Sequence, residues 1–190
     1  MSESFWSDAK SPAPKRNYRW IMLMGGVPQW IIKKVNKPGF SITEASHQYL
    51  NHTFYYPGRV EYEKTSVTLV DPVTPDATAI MMGILQASGY TVPLNAQNAQ
   101  TISKNKATSA LGNVTIAQIN ASGKPVDQFT FVNSWLTSAK FGDLDYSNDD
   151  LTEIAIELRY DFVMMPHWGS NRPSIAPYVG ASGEQELDIS

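Results

Sequence analysis

Hydrophobic and polar positions along this chain alternate mostly with a period of two, which predicts a protein built mainly of β-strands. The clearest alternation runs over residues 151–163, where large apolar side chains occupy every second position. Apolar, aromatic and β-branched runs at residues 18–24 and 29–35 flank Gly25-Gly26-Val27-Pro28. Because glycine and proline favour tight turns, these two runs are predicted to pair as a hairpin.

The next stretch predicts strands without an apolar face. Residues 40–56 contain β-forming and polar residues with no helical period, which predicts a long polar strand pair that turns near Leu50 and Asn51. Pro57-Gly58 is predicted as a turn, and residues 60–70 as the next strand. A strand that is polar on both faces is poorly anchored in a monomer's core, so it needs an outside partner or a wet cavity to fix its register.

One helix and several further elements complete the predicted fold. Thr74, Pro75 and Asp76 are suited to the start of a helix, and Gly89 to its end. A long polar loop is expected at residues 91–110, strands at 113–119 and 126–136, and an acidic loop at 141–150. We therefore predict a mainly β fold, an antiparallel β-sandwich or open barrel with one flanking α-helix.

The domain boundaries follow from composition. Residues 1–16 mix Ser, Pro and Lys, and residues 164–190 are rich in Pro, Gly and Ser; they are predicted to be an N-terminal arm and a C-terminal tail around one domain, residues 17–163. The 190 residues are 42% hydrophobic and include no cysteine. This excludes wholesale disorder, disulfide scaffolds and thiolate chemistry. No apolar run is long enough for a membrane span, so no membrane partner is expected.

Charge is distributed unevenly along the chain. Residues 10–37 carry seven basic residues and no acid, whereas residues 143–161 carry seven acids and one arginine, although the net charge is only −3. Opposite blocks allow one copy of the chain to attract the next. The candidates for such inter-subunit contacts are Arg16, Arg19, Lys33, Lys34, Lys37, Asp143, Asp145, Asp149, Asp150 and Glu153. The alternative is that both blocks are ordinary solvated surface, since exposed ion pairs stabilise little.

No pattern of catalytic or metal-binding residues was found in the sequence. His47 and His52 are five residues apart in a strand region, which predicts opposite faces and disfavours a shared metal ion. The acidic stretch from Asp143 has Asn148 and Ile154 where a calcium loop requires glycine and glutamate. We therefore expect no catalytic site, no metal and no cofactor. Enzymatic activity is the least favoured hypothesis for this chain.

Two long segments, residues 39–77 and 131–162, resemble the tail tube protein of contractile-tailed bacteriophages. The first places a polar strand pair before a strand and an acidic helix start. The second contains a loop of the form W-x-T, G-x-L, D, S-N-D before the last alternating strand. The matching positions of this loop are Trp135, Thr137, Gly142, Leu144, Asp145, Ser147, Asn148 and Asp149. The similarity extends over residues 18–162.

The resemblance implies a β-sandwich subunit that contributes strands to a ring-closed barrel. Hexameric rings of it would stack into a hollow tube inside a sheath, and the genome would pass through the bore. Implied partners are other copies of the chain, the tail sheath protein, and baseplate and tail terminator proteins. Tape-measure protein and DNA would pass without specific binding, and the subunit would assemble in the host cytoplasm and reside in the virion tail.

Several residues are assigned expected roles on this basis. The polar strand faces nominate candidates for lining the bore: Glu44, Gln48, Gln128, Thr130 and Ser134. Lys104 and Lys106 lie in the long polar loop, which would be ordered by an adjacent ring. Three alternatives remain: a tube initiator or baseplate tube protein, the inner tube of a type VI secretion-like system, and a small-ligand-binding β-barrel.

Overall fold

The computed structural model describes residues 14–93 and 100–165. Ten β-strands and two α-helices form in this part of the chain. In chain order they are β1 (Trp20–Leu23), β2 (Ile32–Val35), β3 (Phe40–Tyr49), β4 (His52–Tyr62), β5 (Thr65–Val70), α1 (Ala77–Ala87), α2 (Lys104–Leu111), β6 (Val114–Ile119), β7 (Pro125–Val132), β8 (Trp135–Lys140), β9 (Glu153–Arg159) and β10 (Phe162–Met164).

The strands form two four-stranded antiparallel sheets and one separate two-stranded sheet. The first sheet has the order β1-β6-β7-β10 and the second the order β2-β5-β9-β8, whereas β3 pairs, within the described residues, only with β4. Neither large sheet closes on itself, so each ends in two open edge strands. The predicted fold class, a mainly β antiparallel sandwich, is confirmed.

The core lies between the two large sheets, and strand periodicity places it there. Every second residue of β6 and β9 is buried, as expected for strands with one face inward. Helix α1 adds Ala77, Met81 and Ile84 to the same cluster. The largest fully buried side chains are Met22, Ile31, Leu69, Met81, Leu111, Ile116, Ile154, Ile156 and Leu158.

The chain passes from one large sheet to the other at four places, and at three of them the sequence-based prediction was wrong; the fourth passage leads from β5 through α1 and α2 to β6. Residues 25–28 do not close a hairpin, because β1 and β2 belong to different sheets. The predicted single strands 126–136 and 151–163 are each broken where the chain changes sheet, the first at Asn133 with φ 54° and the second at Tyr160 and Asp161. Period-two alternation continues through such a crossover, so it does not reveal one.

Helices also differ from the prediction in two respects. Asp76, rather than Thr74, caps α1, and its carboxylate accepts a hydrogen bond from the Ala79 amide at 2.9 Å. Residues 104–111, predicted as loop, form α2, which starts after Ser103 and buries Ala107 and Leu111. Most residues of α2 are polar, so the sequence does not show a clear apolar stripe there. The middle of the predicted loop, residues 94–99, lies outside the described residues, as do most of both predicted tails.

Candidate assembly interface

Strands β3 and β4 form an arm, residues 40–62, that projects from the sandwich. All ten residues of β3 are exposed, and in β4 only Thr53 and Tyr62 are partly covered. An isolated two-stranded hairpin is marginally stable in water, and its unpaired edges attract other strands. The arm is therefore the part of the described chain that most needs a partner. The predicted turn near Leu50 and Asn51 is confirmed, with Leu50 at φ 52° and 88% exposed.

A β-bulge divides the arm near its middle. The pairing register shifts by one residue between Ile42 and Glu44, so Gly58 and Arg59 together lie opposite Thr43. The Thr43 hydroxyl accepts a hydrogen bond from the Arg59 amide at 2.8 Å. A Cβ atom at Gly58 would lie 2.8 Å from the Thr43 carbonyl oxygen. The predicted turn at Pro57-Gly58 was therefore wrong: these residues form the bulge within β4, where proline and glycine are tolerated.

The two faces of the arm differ in chemistry. Paired residues of an antiparallel ladder point to the same face, so the register assigns each side chain. The histidine face carries Ala45, His47, Tyr49, His52, Phe54 and Tyr56. The glutamate face carries Phe40, Ile42, Glu44, Ser46, Gln48, Thr53, Tyr55, Val60 and Tyr62. Both faces thus expose large aromatic side chains beside polar ones, which suits contact with protein on both sides.

His47 and His52 share a face, contrary to the prediction from their spacing. The turn at residues 50–51 reverses the chain between them, which restores the same side. The His52 ring packs edge-on against Phe54, with 4.7 Å between centroids. Among the described residues, no group of three His, Asp or Glu side chains is placed to hold a metal ion.

Aromatic rings join the base of the arm to the core. Tyr62 packs against Tyr160 with 5.8 Å between centroids, and Tyr160 packs edge-on against Phe131 at 4.7 Å. Tyr160 is buried, and burial raises the pKa of its hydroxyl above the ordinary value. Because Tyr160 lies at the crossover from β9 to β10, both large sheets and the arm meet at this residue.

The candidates for lining a bore occupy three different environments. Glu44 and Gln48 are exposed on the glutamate face of the arm. Gln128 and Thr130 lie partly buried on β7, where the Gln128 amide is 3.4 Å from the Thr130 hydroxyl. Ser134 has 2% of its surface exposed, so it is unsuited to line a water-filled channel, and that assignment is corrected. It lies within the β7 to β8 crossover, between Val132 and Trp135.

The predicted inter-subunit charges are in part neutralised within the subunit. Lys33 forms an ion pair with Glu153, and this pairing raises the pKa of Lys33. The acidic loop, residues 141–150, is exposed throughout and leaves Asp143, Asp149 and Asp150 in solvent. Hydrogen bonds from the Ser147 amide and hydroxyl lower the pKa of Asp145.

The two lysines assigned to the inter-ring loop lie on a helix instead. Lys104 is the first residue of α2, and its ammonium lies 2.7 Å from the Asp161 carboxylate. Asp161 also accepts a hydrogen bond from the Asn133 side chain at 2.7 Å. Both hydrogen bonds lower the pKa of Asp161, and the bond from Lys104 has the larger effect. Lys106 is exposed on the same helix.

Four strands form the edges of the large sheets within the described residues. They are β1 and β10 in the first sheet, and β2 and β8 in the second. Edge strands present unpaired amides and carbonyls that pair readily with another chain. The sequence did not reveal these edges, because edge position depends on long-range topology. The helices of the described residues include none long and apolar enough to cross a membrane.

Comparisons with known proteins identify the fold. No protein-family model and no curated protein sequence matches the chain. Solved structures do match, at low sequence identity. A chain of the anti-feeding prophage (AFP) cap, described as the tube terminating cap, is 18% identical with a TM-score of 0.60, covering 87% of this chain and 99% of its own.

Two further structures of contractile systems agree with this match. A chain of the six-fold symmetrised AFP baseplate is 15% identical with a TM-score of 0.58, covering 82% of this chain and 97% of its own. A chain of the sheath-tube complex of the extracellular contractile injection system PVC is 20% identical with a TM-score of 0.54, covering 80% and 91%. The fold of this chain is thus the one found in such assemblies, and the tail-tube-like fold predicted from the sequence is confirmed.

Proposed function

We propose that this chain is a structural subunit of a contractile tail tube in which hexameric rings stack into a hollow conduit for genome ejection. The observation that carries the proposal is the arm, residues 40–62, whose two aromatic-bearing faces are uncovered in the single subunit. A second copy of the chain is the partner that supplies the same surface repeatedly, as a ring or a stack requires.

Open sheet edges support closure into a ring. Strands β1, β2, β8 and β10 have one side unpaired, and pairing between copies would remove these edges by completing a large barrel. The fold comparisons support the same conclusion, since the similar baseplate was reconstructed with six-fold symmetry. The tail sheath, baseplate and terminator proteins are the further partners in this proposal, and the virion tail is its location.

Charge supports a conduit that does not retain nucleic acid. A bore lined by Glu44, Gln48, Gln128 and Thr130 would carry acidic and neutral groups, which release no counterions from DNA phosphates and therefore do not hold the strand. The acidic loop, residues 141–150, would face the basic residues Arg16, Arg19, Lys34 and Lys37 of a neighbouring copy. This contact would give the stack a direction.

A terminal position in the tube is the second candidate, because two of the similar structures are a tube terminating cap and a baseplate. A terminal subunit forms one ring and does not add further rings of itself. A tube that transports protein rather than DNA has the same architecture, and packaging of DNA in purified particles distinguishes the two. A small-ligand barrel is disfavoured because neither large sheet closes into a barrel within the described residues.

Electron microscopy of concentrated, purified protein tests the proposal. We expect rings with six-fold symmetry, and rods many rings long if the chain is the repeating subunit. Single rings that fail to extend would identify a terminal subunit. A chain that stays monomeric at every concentration, with and without a baseplate preparation as a seed, would refute the tube function.

A further inference from the structure

A cleft lined by basic and aromatic residues opens between β1 and β2, the edge strands of the two large sheets. Its volume is about 730 Å³, and the chain segment just before β1 forms part of its wall. Apolar contact is available from Trp20, Val35 and Phe129, each only partly covered by the core. The residues that line it also include Lys34 and Lys37.

Three lysines line this cleft, and one of them, Lys33, is paired with Glu153. Within the described part of the chain, neither Lys34 nor Lys37 pairs with a carboxylate. Lys37 instead donates a hydrogen bond to the neutral Gln118 amide oxygen at 2.6 Å and lies 5.7 Å from the centre of the Phe129 ring. Gln118 is itself buried, so the Lys37 ammonium is held at a defined position at the mouth of the cleft.

We infer that the acidic segment near the end of the same chain, residues 184–190, binds in this cleft. Its sequence is Glu-Gln-Glu-Leu-Asp-Ile-Ser. In an extended conformation, Leu187 and Ile189 point to one side and Glu186 and Asp188 to the other. The apolar side matches the aromatic wall of the cleft, and the acidic side matches Lys34 and Lys37.

The length of the chain permits this contact. Strand β10, after which the described residues end at Met165, is separated from β1 by β6 and β7, a distance of about 14 Å at the usual strand spacing. The residues between Met165 and Glu184 can extend to about 60 Å. Attachment to the same chain also raises the effective concentration of the segment at the cleft.

Strand addition completes the proposed binding mode. Both β1 and β2 have an open edge at the cleft, so an extended segment can pair with either backbone, as in β-augmentation. Occupation of the cleft takes Lys34 and Lys37 away from the contact between copies proposed above. The segment would then delay assembly until a neighbouring copy displaces it. Binding itself is measured on the monomer and does not depend on tube formation.

A labelled peptide of residues 182–190 tests the inference by fluorescence anisotropy on the full chain at a concentration where it is monomeric. Neutralising the chain's own segment by Glu184→Gln, Glu186→Gln and Asp188→Asn should strengthen peptide binding at least tenfold, because the competing segment is removed. In that neutralised background, Lys34→Ala with Lys37→Ala should weaken binding at least tenfold.

Matched controls separate the cleft from general charge attraction. Lys124→Ala with Lys140→Ala removes two exposed lysines elsewhere and should leave peptide binding unchanged. A peptide with serine at positions 187 and 189 keeps all three acids and should bind at least tenfold more weakly. The proposal would be overturned if the Lys34/Lys37 variant and the Lys124/Lys140 variant bound the peptide equally well. It would also be overturned if the two peptides bound equally well. If the cleft became less accessible to the labelled peptide as the protein concentration rose, the competing segment would come from a second copy. That result would overturn the assignment of the segment to the same chain.

Discussion

Replacing two aromatic side chains of the arm should impair assembly without affecting the folded subunit. Phe54 and Tyr55 are neighbours on β4 that point to opposite faces of the arm, so Phe54→Ser with Tyr55→Ser alters both faces together. The two side chains are 46% and 66% exposed in the single subunit. Their contribution to the stability of the monomer is therefore small.

The expected magnitude follows from the exposed area. An aromatic side chain buries about 150–250 Å², so these two leave roughly 200 Å² to be covered by neighbouring copies. At about 25 cal/mol per Å², complete burial would stabilise the contact by about 5 kcal/mol per subunit. Serine retains part of this area and neighbouring copies cover only part of the rest, so the variant should lose about half of this value, about 2.5 kcal/mol. The critical concentration for rings or rods should rise about 60-fold.

Sedimentation velocity and electron microscopy across a concentration series measure this critical concentration. The matched control is Val73→Ser with Val92→Ser, which removes two exposed apolar side chains outside the arm. It should leave the critical concentration within about twofold of the unaltered chain. An arm variant that assembles as readily as the unaltered chain, or a control variant that is equally impaired, would refute the reasoning.

Three further expectations concern the bulge, the charge blocks and one carboxylate. Gly58→Ala places a methyl group against the Thr43 carbonyl and should reduce amide protection along the arm in hydrogen exchange, with core protection unchanged. Assembly should weaken between about 0.05 and 1 M salt, because screening shortens the reach of exposed charges; salt-independent light scattering would indicate apolar stacking. The lowered pKa of Asp161 means that its contact with Lys104 stabilises the fold above pH ~4 and is lost as pH falls through the lowered pKa. Asp161→Asn should therefore lower the free energy of unfolding by up to about 1 kcal/mol at pH 7 and leave it unchanged near pH 2. Urea titration at both pH values measures this difference.

Sequence periodicity predicted the elements whose surroundings are uniform. Strand β9 was clear because Ile154, Ile156 and Leu158 face one core along their whole length. The turn at residues 50–51 was predicted correctly, whereas the need of the polar strand pair for a partner stays a prediction. These are local properties, since they depend on the side chains of one short segment.

Sheet membership could not be predicted, because it depends on contacts between distant segments. Asn133 and Tyr160 mark crossovers that leave the alternation intact, so one predicted strand became two in each case. The two histidines were assigned to opposite faces because the reversal between them was not included in counting their spacing. Ser134 has a polar side chain yet is buried, as the crossover directs it inward.

The crossovers between the large sheets, four in the described residues with the helical connection from β5 to β6, have a mechanical consequence. Since β1 continues into the second sheet, β7 into β8, and β9 back into the first sheet through Tyr160, neither sheet is a separable layer. Pulling the two layers apart would stretch covalent backbone at each connection and so requires most of the hydrogen-bonded ladders to rupture together. A chain threaded in this way resists a pulling force as one unit, and the projecting arm, residues 40–62, is the part that yields first.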